Sequence, residues 1–256
     1  MIHPSAIVDP KAELAADVEV GPFTIIGPNV QIGAGTRIGP HCLIEGPTVI
    51  GQRNRIYAKA SIGTAPQDKK YLDQPTELRI GDDNTIREFV TINRGTAEGG
   101  GLTAIGSDNW IMAYVHVAHD CIVGDHTIFA NCASLAGHVI VEDHVILGGF
   151  SLIHQFCKIG MHAFTSMGSR INCDVPPFVV VAGEMSVPRG INSEGLKRRG
   201  FTREQIAQIK QAYRLLYSAG LPLAEARAQL QALSAAAPHL ECLVDFLGRT
   251  ERGILR

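Results

Sequence analysis

The sequence predicts a mainly β fold, a solenoid of six-residue repeats over residues 1–190, followed by an α-helical domain over 191–256. Three observations predict it. Apolar residues recur at every sixth position from Val8 through Leu14, Val20 and Ile26 to Ile62, and again at Ile80, Ile86 and Ile92. The count restarts one residue out of phase at Ile105 and runs to Ile159. Glycine is abundant, 27 of 256 residues, and often follows the anchor directly, as at Gly21, Gly33, Gly51, Gly106 and Gly124. Four residues after many anchors stands a small or β-branched side chain, such as Thr36, Cys42, Val115, Cys121 or Ala133. A period of six suits neither a helix nor the two-residue alternation of a long strand. It suits short flat sides joined by corners: the anchor points inward, glycine accommodates the corner, and the small residue fills the tapered interior. Three hexads then make one triangular coil of roughly 18 residues. A β-sandwich would instead space its strands by roughly 8–12 residues.

Two stretches interrupt the count, GTAPQDKKYLDQPTELR (63–79) and NRGTAEGGGLTA (93–104), and are predicted to project as loops that build a binding surface. After DVPPFVVVAG (174–183) the hexads stop. Thr202 and Gln205 form a capping-box pattern, with Ile206, Ile209, Tyr213, Leu216 and Tyr217 at helical spacing behind it. A second helix is predicted from Pro222, and a third after Pro238 carrying Leu240, Leu243, Val244 and Leu247.

Composition excludes several roles. A net charge of −2 gives no reason to expect nucleic-acid binding. The six cysteines contain no C-x-x-C pair and no zinc-like spacing, and three of them occupy the small-residue position, which predicts reduced packing thiols. No basic segment followed by an apolar run opens the chain, and no apolar stretch is long enough to span a membrane. The expected location is the cytoplasm, and no cofactor is expected.

VHVAHDCIVGDH (115–126) concentrates three histidines. On a solenoid, residues one coil apart stack at about 4.8 Å. His119, Gly137 and Gln155 then form one column, with His138 and His154 beside its upper members and His116 at the same end; one coil below His119 the count lands on Gly101, inside the second insert. A histidine with a glycine one rung away suits acyl transfer: the imidazole takes a proton from an attacking hydroxyl, and an exposed backbone N–H holds the oxyanion. Zinc on His116, His119 and His138 is the rival arrangement. His41, His126, His144 and His162 share one hexad position and read as a solvated turn column. Asp120 follows His119 directly, and strand neighbours point to opposite faces, so an orienting role for it is not expected.

APQDKKY, HVAHDCIVG, LAGH, IHQFCKIG, DVPPFV and NSEGLKRRGF, in this order, resemble the acyl-[acyl-carrier-protein]:UDP-N-acetylglucosamine O-acyltransferase family over essentially the whole chain. The resemblance implies a left-handed parallel β-helix with a helical cap, assembled as a homotrimer with active sites between subunits. It implies acyl carrier protein as donor and UDP-N-acetylglucosamine as acceptor, in the first step of lipid A synthesis. His119 would be the general base and the Gly137 N–H the oxyanion donor. Gln67, Asp68 and Lys70 would hold the sugar or the acyl 3-hydroxyl, and His116, His138, His154 and Gln155 would line the sugar and diphosphate site. Asn192, Glu194, Arg198 and Arg199 would handle the nucleotide; guanidinium groups suit phosphate oxygens on their own chemistry. Lys197, Arg198, Arg199 and Arg203 form a basic patch suited to an acidic carrier protein.

Two positions depart from the family pattern. Glu184 stands where asparagine is usual and adds a negative charge near the phosphate region. Met167 aligns with the residue that stops the acyl chain; a methionine there excludes about two to four methylenes, which predicts a donor of about ten to twelve carbons. The alternatives are a related N-acyl- or acetyltransferase, a zinc-dependent hydratase on the same solenoid, and a structural solenoid without chemistry. The first normally carries an extra N-terminal domain, whereas the hexads here begin by Val8.

Overall fold

The computed structural model describes residues 1–256. Most strands are only two or three residues long, because each hexad gives only a short flat side. They stack into three sheets of nine, eight and ten strands, parallel but for the last strand of the third, which form the three walls of a left-handed β-helix. The hexad anchors line its interior: Ile26, Ile44, Ile62, Ile92, Val117 and Leu135 are buried in one wall. Thirty-nine buried residues make this core continuous along the axis.

The register explains the phase slip in the sequence. Ile7 pairs with Ile25 and Leu43 with Ser61, 18 residues apart. Across the first insert the offset is 30, as for Ile50 and Ile80, an excess of two hexads that leaves the phase intact. Across the second it is 25, as for Thr91 and His116, one residue more than a single extra hexad. The ends of both inserts are themselves strands, Ser61–Thr64, Glu77–Ile80, Thr91–Asn93 and Leu102–Ile105, so the projecting loops shrink to 65–76 and 94–101.

The corners work differently from expectation. The left-handed backbone falls three residues after the anchor and mostly on non-glycine residues, for example Asn29, His126 and His144 at φ 58°, 57° and 61°. Glycine after the anchor answers a close approach: a Cβ on Gly21 would sit 2.8 Å from the carbonyl carbon of Gly39 one coil above.

The last wall ends with Val179–Ala182 and an antiparallel strand, Val187–Ile191, that the hexad count did not foresee. Four helices follow: α1 (Ser193–Arg198), α2 (Arg203–Tyr217), α3 (Leu223–Ser234) and α4 (Glu241–Gly248). α2 starts with the expected capping box, in which Thr202 accepts from the Gln205 N–H and the Gln205 side chain accepts from the Thr202 N–H. The chain end returns to the solenoid, where Leu255 donates to the Asp174 carbonyl and joins the core.

Candidate active site

His119 and Asp120 occupy a corner, not the flat of a strand. Asp120 adopts φ 58°, and this left-handed residue turns two sequence neighbours onto the same side. His119 Nδ1 lies 2.7 Å from Asp120 Oδ2, which overturns the expectation that the pair would point apart. The Asp120 side chain is 1% exposed and the imidazole 15%. The carboxylate also accepts from the Thr96 N–H (2.8 Å) and the Thr96 hydroxyl (2.6 Å).

One rung above, Gly137 lies against the imidazole. A Cβ there would come within 2.6 Å of Cε1 and 2.8 Å of Nε2, so only glycine leaves the ring its place. The Gly137 N–H has no hydrogen-bond partner. At the same hexad position the first coils carry Pro10, Pro22, Pro28 and Pro40, since the fold asks for no donor there. His138 packs edge-on to His119 at 5.2 Å and stacks on Phe156 at 4.4 Å, with Nε2 3.7 Å from Asp120. Below His119 the offset of 25 means that Gly101 is not its neighbour, contrary to the 18-residue count. His116 is tied instead to Thr91, its Nδ1 2.7 Å from the hydroxyl. Burial, and secondarily the charge of His119, lower its pKa.

The three groups that converge as potential metal ligands are His119, Asp120 and His138, not the three histidines suggested by sequence. Both Asp120 oxygens are already engaged. A metal would have to displace these donors.

The two projecting loops meet beside this corner. Asp68 accepts from the Lys70 N–H, and Lys70 reaches Glu98 of the other loop at 3.9 Å. Gln67 is exposed. Arg94 donates to the Gly63 carbonyl and the Tyr71 hydroxyl, locking the loops together. His154 and Gln155 are exposed one coil above His138, and the Gln155 carbonyl accepts from Arg252.

Around α1, Asn192 is buried; its Oδ1 caps the Gly195 N–H and its Nδ2 donates to the His162 carbonyl, so the amide already holds the helix to the solenoid. Glu194 pairs with Lys197 at 2.6 Å, and Arg198 and Arg203 are exposed. Arg199 is half-buried, with Nη1 3.4 Å from His162 Nδ1. Glu184 pairs with Arg170 at 2.7 Å, so its charge is matched locally. Met167 is 79% exposed, and Phe150 and Leu152 are exposed as well.

The turn column of histidines is only partly solvated. His126 bonds Asp108, His126 and His144 stack at 4.8 Å, and His144 and His162 at 4.7 Å, but His162 is buried under Phe178 and Phe201. The helical cap covers that end of the column, which repeat counting cannot see. Burial, then the charges of His144 and Arg199, lowers the His162 pKa to about 3 from an ordinary 6.5. The unfolded chain therefore binds a proton that the folded chain refuses between pH 6.5 and 3. Stability is complete above pH 6.5 and falls toward acid by up to about 1.4 kcal/mol per pH unit. His162→Phe is expected to flatten that slope when urea midpoints are compared at pH 7.5 and 5, leaving the part from His116, His144 and His239, whose pKa values burial also lowers.

Buried thiols offer no nucleophile: burial raises Cys121 and Cys157 to about 12.

Residues 174–255 match the family model described as Udp N-acetylglucosamine O-acyltransferase, domain 2, and residues 103–137 match the bacterial transferase hexapeptide model. The chain is 59% identical to the acyl-[acyl-carrier-protein]–UDP-N-acetylglucosamine O-acyltransferase of Herminiimonas arsenicoxydans, covering 100% of this chain and 99% of that protein. It is 61% identical to the protein of the same name from Halorhodospira halophila, again over 100% and 99%. Among solved structures, LpxA of Acinetobacter baumannii superposes with a TM-score of 0.98 at 46% identity, over 100% of this chain and 99% of that one. The UDP-N-acetylglucosamine acyltransferase of Francisella novicida gives 0.98 at 44% identity, over 100% and 94%. Full-length identity at this level, on one fold, places the chain in the acyl-[acyl-carrier-protein]–UDP-N-acetylglucosamine O-acyltransferase family.

Proposed function

We propose that the protein transfers a (R)-3-hydroxyacyl chain from acyl carrier protein to the 3-hydroxyl of UDP-N-acetylglucosamine, in lipid A biosynthesis. The family supports the reaction, and the observation that carries the mechanism is the His119–Asp120 pair with Gly137 one rung above. With Nδ1 turned to Asp120, Nε2 is free to take the proton of the sugar 3-hydroxyl as its oxygen attacks the thioester carbonyl. The Gly137 N–H is free to receive the oxyanion. Collapse forms the ester and breaks the C–S bond; the carrier-protein thiolate recovers the proton from the imidazolium. No cofactor is required by this balance.

Asp68, Lys70 and Gln67 suit the acyl or sugar hydroxyls, with the loop pairing of Lys70 and Glu98 supporting a shared surface. His116, His138, His154 and Gln155 line the sugar and diphosphate. Glu194, Arg198 and Arg199 serve the nucleotide; Asn192 contributes by holding α1 in place. Arg198 and Arg203 are unpaired and exposed, which suits an acidic carrier protein. Exposed Trp110, Phe150, Leu152 and Met167 suit burial between protomers of a homotrimer, with active sites at the interfaces. No helix is long and apolar enough to cross a membrane, and the proposed location is the cytoplasm.

Met167 ends the acyl groove and selects a donor of about ten to twelve carbons. Acyl transfer from a panel of 3-hydroxyacyl carrier proteins tests both substrate and length. Met167→Gly is expected to move the optimum up by about two to four carbons. Wild type that prefers fourteen carbons sinks the length assignment.

A further inference from the structure

Thr96 belongs to the second projecting loop, far from His119 in sequence, yet it makes two of the three side-chain bonds to Asp120 beyond its own backbone. Its hydroxyl is held from the other side as well, accepting from the Gly99 N–H at 3.1 Å. Gly99 itself presses on the carboxylate: a Cβ there would fall 2.1–2.4 Å from its atoms. The loop thus wraps the carboxylate and removes it from water, leaving it 1% exposed.

Proton positions follow from these contacts. A peptide N–H only donates, so the Gly99 bond occupies an acceptor site on the Thr96 oxygen. The hydroxyl proton, buried and with no other acceptor nearby, goes to Asp120 Oδ2 at 2.6 Å. Oδ2 is then an acceptor toward Thr96, and Oδ1 is an acceptor toward the Thr96 N–H. Each oxygen thus already accepts a hydrogen bond from Thr96, an arrangement that favours the ionised carboxylate and places the proton shared with the imidazole on Nδ1. A neutral imidazole with its proton on Nδ1 presents its lone pair on Nε2, the atom beside Gly137.

We infer that Thr96 is a positioning residue which, through Asp120, fixes His119 in the tautomer whose Nε2 accepts a proton. This rests on His119 being the general base. The chain of bonds runs from Gly99 N–H to Thr96 O–H to Asp120 to His119. Because Arg94 fastens the same loop to Tyr71 of the first projecting loop and to Gly63 of the strand before it, seating of substrate on those loops and the state of the base are joined through one short segment.

Neutron diffraction of the deuterium-exchanged wild type tests the proton positions without any variant. The expected density places deuterium on the Thr96 hydroxyl facing Asp120, on His119 Nδ1, and not on Nε2. Kinetics supply the second arm. Thr96→Val, isosteric but without the hydroxyl, is expected to lower kcat by about tenfold with the KM for UDP-N-acetylglucosamine within about twofold, and Thr96→Ser to recover most of it. Deuterium on Nε2, or a hydroxyl turned away from Asp120, overturns the assignment, as does a Thr96→Val enzyme with unchanged kcat. His119→Ala separates the two levels. If that variant stays active the general-base role itself falls; if it is inactive while the neutron density contradicts the expected pattern, only the role of Thr96 falls.

Discussion

His119→Ala is expected to lower kcat for acyl transfer at least about 100-fold, the lower bound for losing a positioned general base. The side chain removed is three-quarters or more enclosed, with its Nδ1 committed to Asp120, and no other group takes over its place beside Gly137. His138 is the nearest substitute, but its Nε2 is already turned toward Asp120 at 3.7 Å and its ring is pinned on Phe156. The proposed substrate contacts are spread over His116, His138, the loops and α1, so the KM for UDP-N-acetylglucosamine should change far less than kcat. Steady-state kinetics at saturating donor check both numbers. A variant that keeps more than a tenth of wild-type kcat sinks the general-base assignment.

The largest expected loss of stability comes from Phe129→Ala. Phe129 is the one aromatic residue at an anchor position, fully buried between Ile111 and Leu147 of the adjacent coils. A solenoid wall cannot collapse around a missing ring, because each rung is fixed by hydrogen bonds to the rungs above and below. The truncation is expected to cost about 3–5 kcal/mol, and Phe129→Leu less than about 1.5 kcal/mol. Urea unfolding of the two variants against wild type measures the difference. A loss below about 1 kcal/mol for the alanine variant is incompatible with a rigidly stacked core.

Much of the fold was legible because burial here is periodic: the anchor and the small residue four positions later recur at every sixth residue, and every anchor from Val20 to Ile159 is buried. Features set by conformation and not by period escaped. Asp120 turns toward His119 because a left-handed corner interrupts the alternation of a strand. Its bond to Thr96 crosses an insert whose length shifts the register to 25, so no fixed step connects them. His162 looked like its column mates until the helical cap closed over it, a long-range contact without a local pattern. α1 was hidden because its short helix depends on Asn192, whose amide bonds both the helix and the solenoid. The column of His119 and Gly137, by contrast, needed only the repeat.

The two offsets of 30 and 25 carry an evolutionary consequence. Each projecting loop leaves a coil and re-enters the next at matching rungs, so the scaffold registers turns of the coil and is indifferent to how many residues lie outside it. Outside Arg94, Thr96 and Gly99, loop length and sequence are therefore free variables, while the height of His119 on the axis is not. Lineages can lengthen, shorten or recompose 65–76 and 94–101, changing what is presented to the base, without retuning the walls. Selection on substrate and selection on folding act on separable stretches of one gene.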